Sequence, residues 1–125
     1  MKIIATQNAP QAIGPYSQAI AINGILYTSG QIGLTPQGEL MEGINKQAIQ
    51  ALNNLKEILK AGKSDLHKVI KTTIFLTSME DFENVNEIYT EFFGEHKPTR
   101  STVAVKSLPK NALIEIECIA LVDVE

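Results

Sequence analysis

Apolar residues along this chain recur with two different periods, and the switch between them marks the elements. Met1 to Thr6 predicts a short first strand, and the polar, small and proline residues from Thr6 to Gly14 predict a loop. Ile13-Gly14-Pro15-Tyr16-Ser17 then reads as a turn that delivers Tyr16 to the next strand. Ser17 to Ile22 alternates, with Gln18, Ile20 and Ile22 on one face. Asn23-Gly24 is a strong hairpin signal, because both residues tolerate the positive φ of a type I′ turn. Ile25 to Ile32 is the return strand, interrupted at Ser29-Gly30-Gln31. A glycine there makes a bulge or lets another group approach the backbone closely. Thr35-Pro36-Gln37-Gly38 predicts a surface turn.

The period then lengthens. From about Ile44 to Lys60, residues Ile44, Ala48, Leu52, Leu55 and Leu59 recur at helical spacing, widened by Ala51 and Ile58. Gly62 stands where a left-handed C-cap belongs. Val69 to Thr77 is β-branched and strand-like. Ser78-Met79-Glu80-Asp81 has capping-box spacing and opens a second helix. Its stripe is Phe82, Val85, Tyr89 and Phe92, flanked by Ile88 and Phe93, and Gly94 and Pro98 close it. Arg100 to Lys106 and Leu113 to Val122 are the last two strands, joined through Leu108-Pro109-Lys110-Asn111.

The expected order is β-β-β-α-β-α-β-β, an α+β fold of one six-stranded sheet with two helices on one face. The final strand has two apolar rows. Ile114, Ile116, Cys118, Ala120 and Val122 form one, while Leu113, Ile119 and Leu121 join Glu115 and Glu117 in the other. Two helices on one face cover only one row, so the second row is expected to meet another subunit.

Composition narrows the classes. With 125 residues the chain reads as one domain over residues 1–125. A net charge of −3 and the absence of a basic–aromatic run argue against a nucleic-acid surface. A single cysteine, Cys118, excludes a disulfide framework and fits a reducing compartment. The first residues lack the apolar run of a signal peptide or membrane span, so a cytoplasmic location is expected. His67, His96 and one remote cysteine lack zinc-ligand spacing, and both histidines fall near element ends where solvated roles are the default. No glycine-rich phosphate loop or Gly-x-Ser-x-Gly elbow occurs.

The remaining chemistry centres on Arg100, the only arginine among eleven Lys and Arg residues. A planar guanidinium opening a strand suits a carboxylate or phosphate bound bidentately. Glu115 interrupts the apolar last strand, and on a neighbouring strand it would pair with Arg100 or share a small acidic ligand and a water with it. On residue types alone the ion pair is the default. Lys56, beside the first helical stripe, is by default a solvated lysine.

Six collinear segments then carry a resemblance. They are Ala12-Ile13-Gly14-Pro15-Tyr16-Ser17-Gln18, Thr28-Ser29-Gly30-Gln31-Ile32 and Asn84-Val85-Asn86-Glu87-Ile88-Tyr89, followed by Lys97-Pro98-Thr99-Arg100-Ser101-Thr102-Val103, Leu108-Pro109-Lys110-Asn111-Ala112 and Ile114-Glu115-Ile116-Glu117. Together the chain resembles the RidA (YjgF) family of reactive-intermediate deaminases. The resemblance implies a chorismate-mutase-like fold and a homotrimer whose sheets line a central barrel, with clefts between subunits. It implies hydrolysis of 2-imino acids such as 2-iminobutanoate and 2-iminopropanoate to 2-oxo acids and ammonia, with no cofactor or metal. Some relatives are described as endoribonucleases or translation inhibitors, and a non-catalytic carboxylate-binding regulator is a further alternative.

By position, the resemblance makes Arg100 the substrate-carboxylate clamp and Glu115 the holder of the attacking water, with Glu117 on the same strand face as its substitute. Backbone groups at Gly30 and Thr102 would orient the reacting end, Ser101 would join the substrate-binding segment, and Tyr16 would close the cleft from a neighbouring subunit. Lys56 matches a position sometimes near ligand. Thr102 stands where the family often has cysteine, and Thr99 where it often has alanine, so a backbone role at Thr102 survives and a thiol role does not.

Overall fold

In the computed structural model, which describes residues 1–123, the predicted α+β order holds with one strand more than expected. Strands β1 (Lys2–Ile4), β2 (Ala19–Ile22), β3 (Ile25–Thr28) and β4 (Gln31–Ile32) precede helix α1 (Gly43–Ala61). Then come β5 (Val69–Leu76), α2 (Phe82–Phe93), β6 (Thr99–Ala104) and β7 (Ile114–Leu121). Among the described residues these seven strands form one sheet, ordered β1-β2-β3-β7-β5-β6, with β4 also paired to β7.

The extra strand arises where the sequence reading placed one interrupted run. β3 pairs with β7 in the register Tyr27↔Ile119, whereas β4 pairs in the register Gln31↔Ile116, one residue out of step. A bulge at Thr28-Ser29-Gly30 absorbs that residue and splits the run in two. Its groups are paired locally. The Ser29 N–H donates to the Gln18 carbonyl at 2.9 Å, and its hydroxyl donates to the Ser17 carbonyl at 2.5 Å.

Both helices serve as crossovers. β5 and β6 are parallel neighbours, and β4 and β5 flank β7 antiparallel to it, so each of these pairs needs a long connection. The helices pack together on one face, over Leu26, Ile74, Leu76, Ile114, Ile116 and Ala120, all essentially inaccessible. The buried β7 row is the one expected. The opposite face is bare of helices. There Ile3, Ile20, Tyr27 and Ile119 align across β1, β2, β3 and β7, with Ile22 and Leu121 beside them. Tyr27 is 46% and Leu121 50% exposed.

Several local expectations change. Asn23 and Gly24 do turn with φ 53° and 78°. The left-handed position after α1 belongs to Lys63 (φ 62°), not Gly62 (φ −93°). Gly62 serves a different end, since a Cβ there would lie 2.3 Å from Leu26 Cδ1 and force that core side chain to shift. Ser78 caps a short 3-10 turn over Met79–Asp81, accepting from the Glu80 N–H, and that turn leads into α2. On α2 the deepest positions are Val85, Tyr89 and Phe93, with Phe92 at the margin. His96 is not a solvated surface group. It is half-buried, and its Nε2–H donates to the Val69 carbonyl at 2.7 Å.

Three buried amides organise the loops. Gln18 accepts from the Thr6 N–H at 2.7 Å and donates to the Thr6 and Pro10 carbonyls, folding residues 6–17 onto β2. Asn54, fully buried on α1, donates to the Ile32 and Leu34 carbonyls at 3.2 and 2.8 Å. Gln47 donates to the Met41 carbonyl and accepts from the Leu113 N–H, tying α1 to the entry of β7.

Candidate functional site

The residues singled out by sequence fall into two clefts, not one. Strand β5 lies between β6 and β7, so Arg100 and Glu115 are not on neighbouring strands. Register separates them further. Arg100 pairs with the buried Thr72, which pairs with the buried Cys118, and this row faces the helices. Glu115 pairs with Phe75, one residue out of phase with that row, and faces the bare side. An Arg100–Glu115 ion pair within one protomer is thereby ruled out as the reason for either residue.

The first cleft, about 390 Å³, is lined by Tyr16, Gln18, Gly30, Ile32, Lys110 and Glu115. Its floor is the bulge. A Cβ on Gly30 would lie 2.7 Å from the Glu115 Cδ and Oε2, so the carboxyl rests against the bare glycine backbone. Of the two open sequence readings of Gly30, the bulge and the close approach are both realised. Burial raises the Glu115 proton affinity above the ordinary carboxylate range, and the charge of Glu117 two residues along adds to it. Glu117 itself is exposed and does not line the cleft. Tyr16 stands at the rim, 52% exposed. Lys110 and Asn111 cross it with φ 56° and 57°, a left-handed conformation that costs an L-residue about 1 kcal/mol. Lys110 was not foreseen; consecutive left-handed non-glycine residues leave little trace in sequence.

The second cleft, about 530 Å³, is lined by Asn86, Tyr89, Phe93, His96, Lys97 and Arg100. The Arg100 Cζ lies 5.0 Å from the Tyr89 ring centroid and 5.6 Å from that of Phe82. The Asn86 Oδ1 is buried without a hydrogen-bond partner.

Neighbours of Arg100 divide by strand alternation. Thr102 pairs with the buried Ile74 and shares the Arg100 face, its hydroxyl buried and unpartnered. Ser101 pairs with Thr73, which pairs with Glu117, and so faces the bare side. Lys56 is brought to neither cleft. It is exposed on the outer surface of α1, in a shallow depression with Lys60, Asp65, His67 and Phe92. Cys118 is buried under the helices with its thiol pushed up to about 12 by burial. Among the described residues no group of three or more His, Cys, Asp and Glu is placed to hold a metal ion. Among the described residues no helix is long and apolar enough to cross a membrane.

Comparison with known proteins places this architecture. A family model described as Endoribonuclease L-PSP matches residues 6–122. The putative regulator AldR of Lactococcus lactis is 54% identical over 122 residues, covering 96% of this chain and 97% of that protein. Human 2-iminobutanoate/2-iminopropanoate deaminase is 47% identical over 122 residues, covering 96% of this chain and 89% of that protein. The crystal structure of E. coli TdcF with bound serine superposes with a TM-score of 0.94 at 45% identity, covering 98% of this chain and all of that one. The chain belongs to the L-PSP family, the RidA (YjgF) group that its motifs resemble.

Proposed function

From that membership we propose that this protein hydrolyses 2-imino acids, with 2-iminobutanoate and 2-iminopropanoate as substrates, to 2-oxo acids and ammonia. The observation that carries the reading is the Glu115 carboxyl, half-buried against the Gly30 backbone with its proton affinity raised. An imine beside a carboxylate is already electrophilic at carbon, so orientation and a held water suffice. Glu115 takes a proton from the water as its oxygen bonds to the imine carbon. The resulting carbinolamine receives that proton from Glu115 on nitrogen. The C–N bond then breaks, its electron pair leaving with ammonia, while the hydroxyl proton passes back to the Glu115 carboxylate and the C=O bond of the 2-oxo acid forms. A carboxyl with a raised pKa suits these transfers.

The substrate carboxylate requires a cation, and Arg100 supplies the bidentate fork. Because Arg100 opens to a different cleft in its own protomer, the reading includes a second copy of the chain that brings Arg100 to the Glu115 cleft. The bare apolar face around Tyr27 and Leu121 offers the surface for that association. The expected assembly is a trimer of the 13.7 kDa chain, measured by equilibrium sedimentation. Backbone groups at Gly30 and Thr102 would orient the imine and Tyr16 would cover it. The deaminase name of the human relative supports the substrate class, and the serine bound to TdcF supports an amino-acid-like ligand.

A coupled assay tests the reaction. A threonine dehydratase generates 2-iminobutanoate, and addition of this protein should shorten the imine's lifetime in proportion to protein concentration. An unchanged decay rate would sink the proposal. A regulatory role is the second reading, favoured by the name of the Lactococcus lactis relative. Carboxylate binding without faster imine decay would select it, and RNA cleavage lost in an Arg100 variant would select the endoribonuclease reading.

A further inference from the structure

Arg100 lies on an edge strand, with β5 on one side and, among the described residues, no strand on the other. None of the ion pairs among the described residues includes it. A free arginine side chain in such a place samples many rotamers, and fixing it on ligand binding costs affinity. Here the guanidinium carbon is instead over two rings of α2, 5.0 Å from Tyr89 and 5.6 Å from Phe82.

The Tyr89 ring is itself held by two neighbours. Its hydroxyl is 2.8 Å from the Thr72 hydroxyl, on the β5 residue registered opposite Arg100. The Phe93 ring packs behind it at a centroid distance of 4.5 Å, and Tyr89 is 8% exposed. We infer that Tyr89 is a positioning residue, which with Phe82 forms an aromatic platform that pre-aims the Arg100 guanidinium before ligand arrives. A ring face attracts the cation without competing for its N–H groups, so the fork remains free for a carboxylate. Burial raises the phenol pKa of Tyr89, outweighing Thr72 and Arg100, so the platform stays neutral and makes no ion pair.

The inference rests on the reading of Arg100 as the carboxylate clamp, and its test has an arm independent of that reading. Arg100 is the only arginine, so its Nε–Hε group gives a single identifiable resonance in the proton–nitrogen correlation spectrum. In Tyr89→Leu that resonance should move toward the position of free arginine, and Tyr89→Phe should leave it displaced by the retained ring. The apparent Kd for 2-oxobutanoate and the KM for the imine should each rise about fivefold in Tyr89→Leu, with kcat within about twofold. In an Arg100→Lys background the same Tyr89→Leu change should leave the Kd unaltered. Phe82→Leu, at a partly buried ring, should show a smaller change of the same kind and serves if Tyr89→Leu does not fold.

An Arg100 resonance unmoved in both ring variants, or a Kd change that persists without Arg100, would overturn the platform. If wild type neither binds 2-oxobutanoate nor speeds imine decay while the resonance still answers to Tyr89→Leu, the platform stands and the proposed function falls.

Discussion

The Glu115 cleft and the Arg100 cleft are secured by different means. Around Glu115, much of the wall is placed by hydrogen bonds to main-chain groups. The β3 and β4 pairings to β7 on either side of the bulge, the Asn54 amide on the Ile32 and Leu34 carbonyls, and Gln18 on the 6–17 loop pin that backbone. Around Arg100 the backbone is an edge strand, and the charged group is placed by ring contacts from α2. The carboxylate half is built by hydrogen-bonded strand register, the cation half by side-chain packing. The first should survive most substitutions nearby with its geometry intact, whereas the second should respond to any change at the cation itself.

The largest effect should therefore come at Arg100. Arg100→Lys keeps the charge but loses the planar fork and the broad face that lies over Tyr89 and Phe82. Imine turnover should fall about a hundredfold or more, from lost binding and misorientation together. The melting temperature should change little, since no ion pair is broken. A destabilised protein with near-normal turnover would remove Arg100 from the clamp role.

Glu115→Gln should slow turnover by about tenfold or more while leaving assembly and 2-oxobutanoate binding intact. It should also change how stability depends on pH. The folded-state pKa of Glu115 is raised, so the folded protein holds this proton more tightly than the unfolded chain. Stability then falls as pH rises through the window between the ordinary glutamate value and the raised one. Glutamine has no proton to lose. Denaturant unfolding should show Glu115→Gln gaining on wild type as pH rises above the ordinary glutamate range, and equal pH profiles would mean the carboxyl is not desolvated.

The contrast between the clefts also explains what the sequence disclosed. Periodicity placed both helices and the two rows of β7, because burial of one face repeats along the chain. The Ser29-Gly30-Gln31 break was legible as an anomaly, since glycine in an apolar strand has few purposes. The relation of Arg100 to Glu115 was not legible. That β5 inserts between β6 and β7 is a matter of topology, and a helix crossover leaves the order of strands unspecified. Tyr89 was visible only as one member of a helical stripe, and nothing in its spacing distinguishes a core aromatic from a platform under a cation. Gln18, Gln47 and Asn54 were hidden because an amide among polar neighbours gives no sign of its burial.

Asn54 offers the smallest expected change in activity and the closest test of the comparison. It is fully buried and spends both amide protons on carbonyls at the exit of the bulge, while its Oδ1 accepts from Gln50 at 2.9 Å. Asn54→Ala takes the donor from the Leu34 carbonyl, removes one of two donors from the Ile32 carbonyl, which keeps the Leu34 N–H at 2.8 Å, and opens a gap beneath β4. An orphaned buried group costs about 1–3 kcal/mol, so global unfolding should shift by about 2 kcal/mol. The Gly30–Glu115 contact does not pass through Asn54, because the β4 pairing of Ile32 with Glu115 remains. Turnover at a temperature where the variant is folded should drop only a few-fold, with the loss confined to kcat. A loss as large as that of Glu115→Gln would show that Asn54, not the β7 register, holds the carboxyl in place.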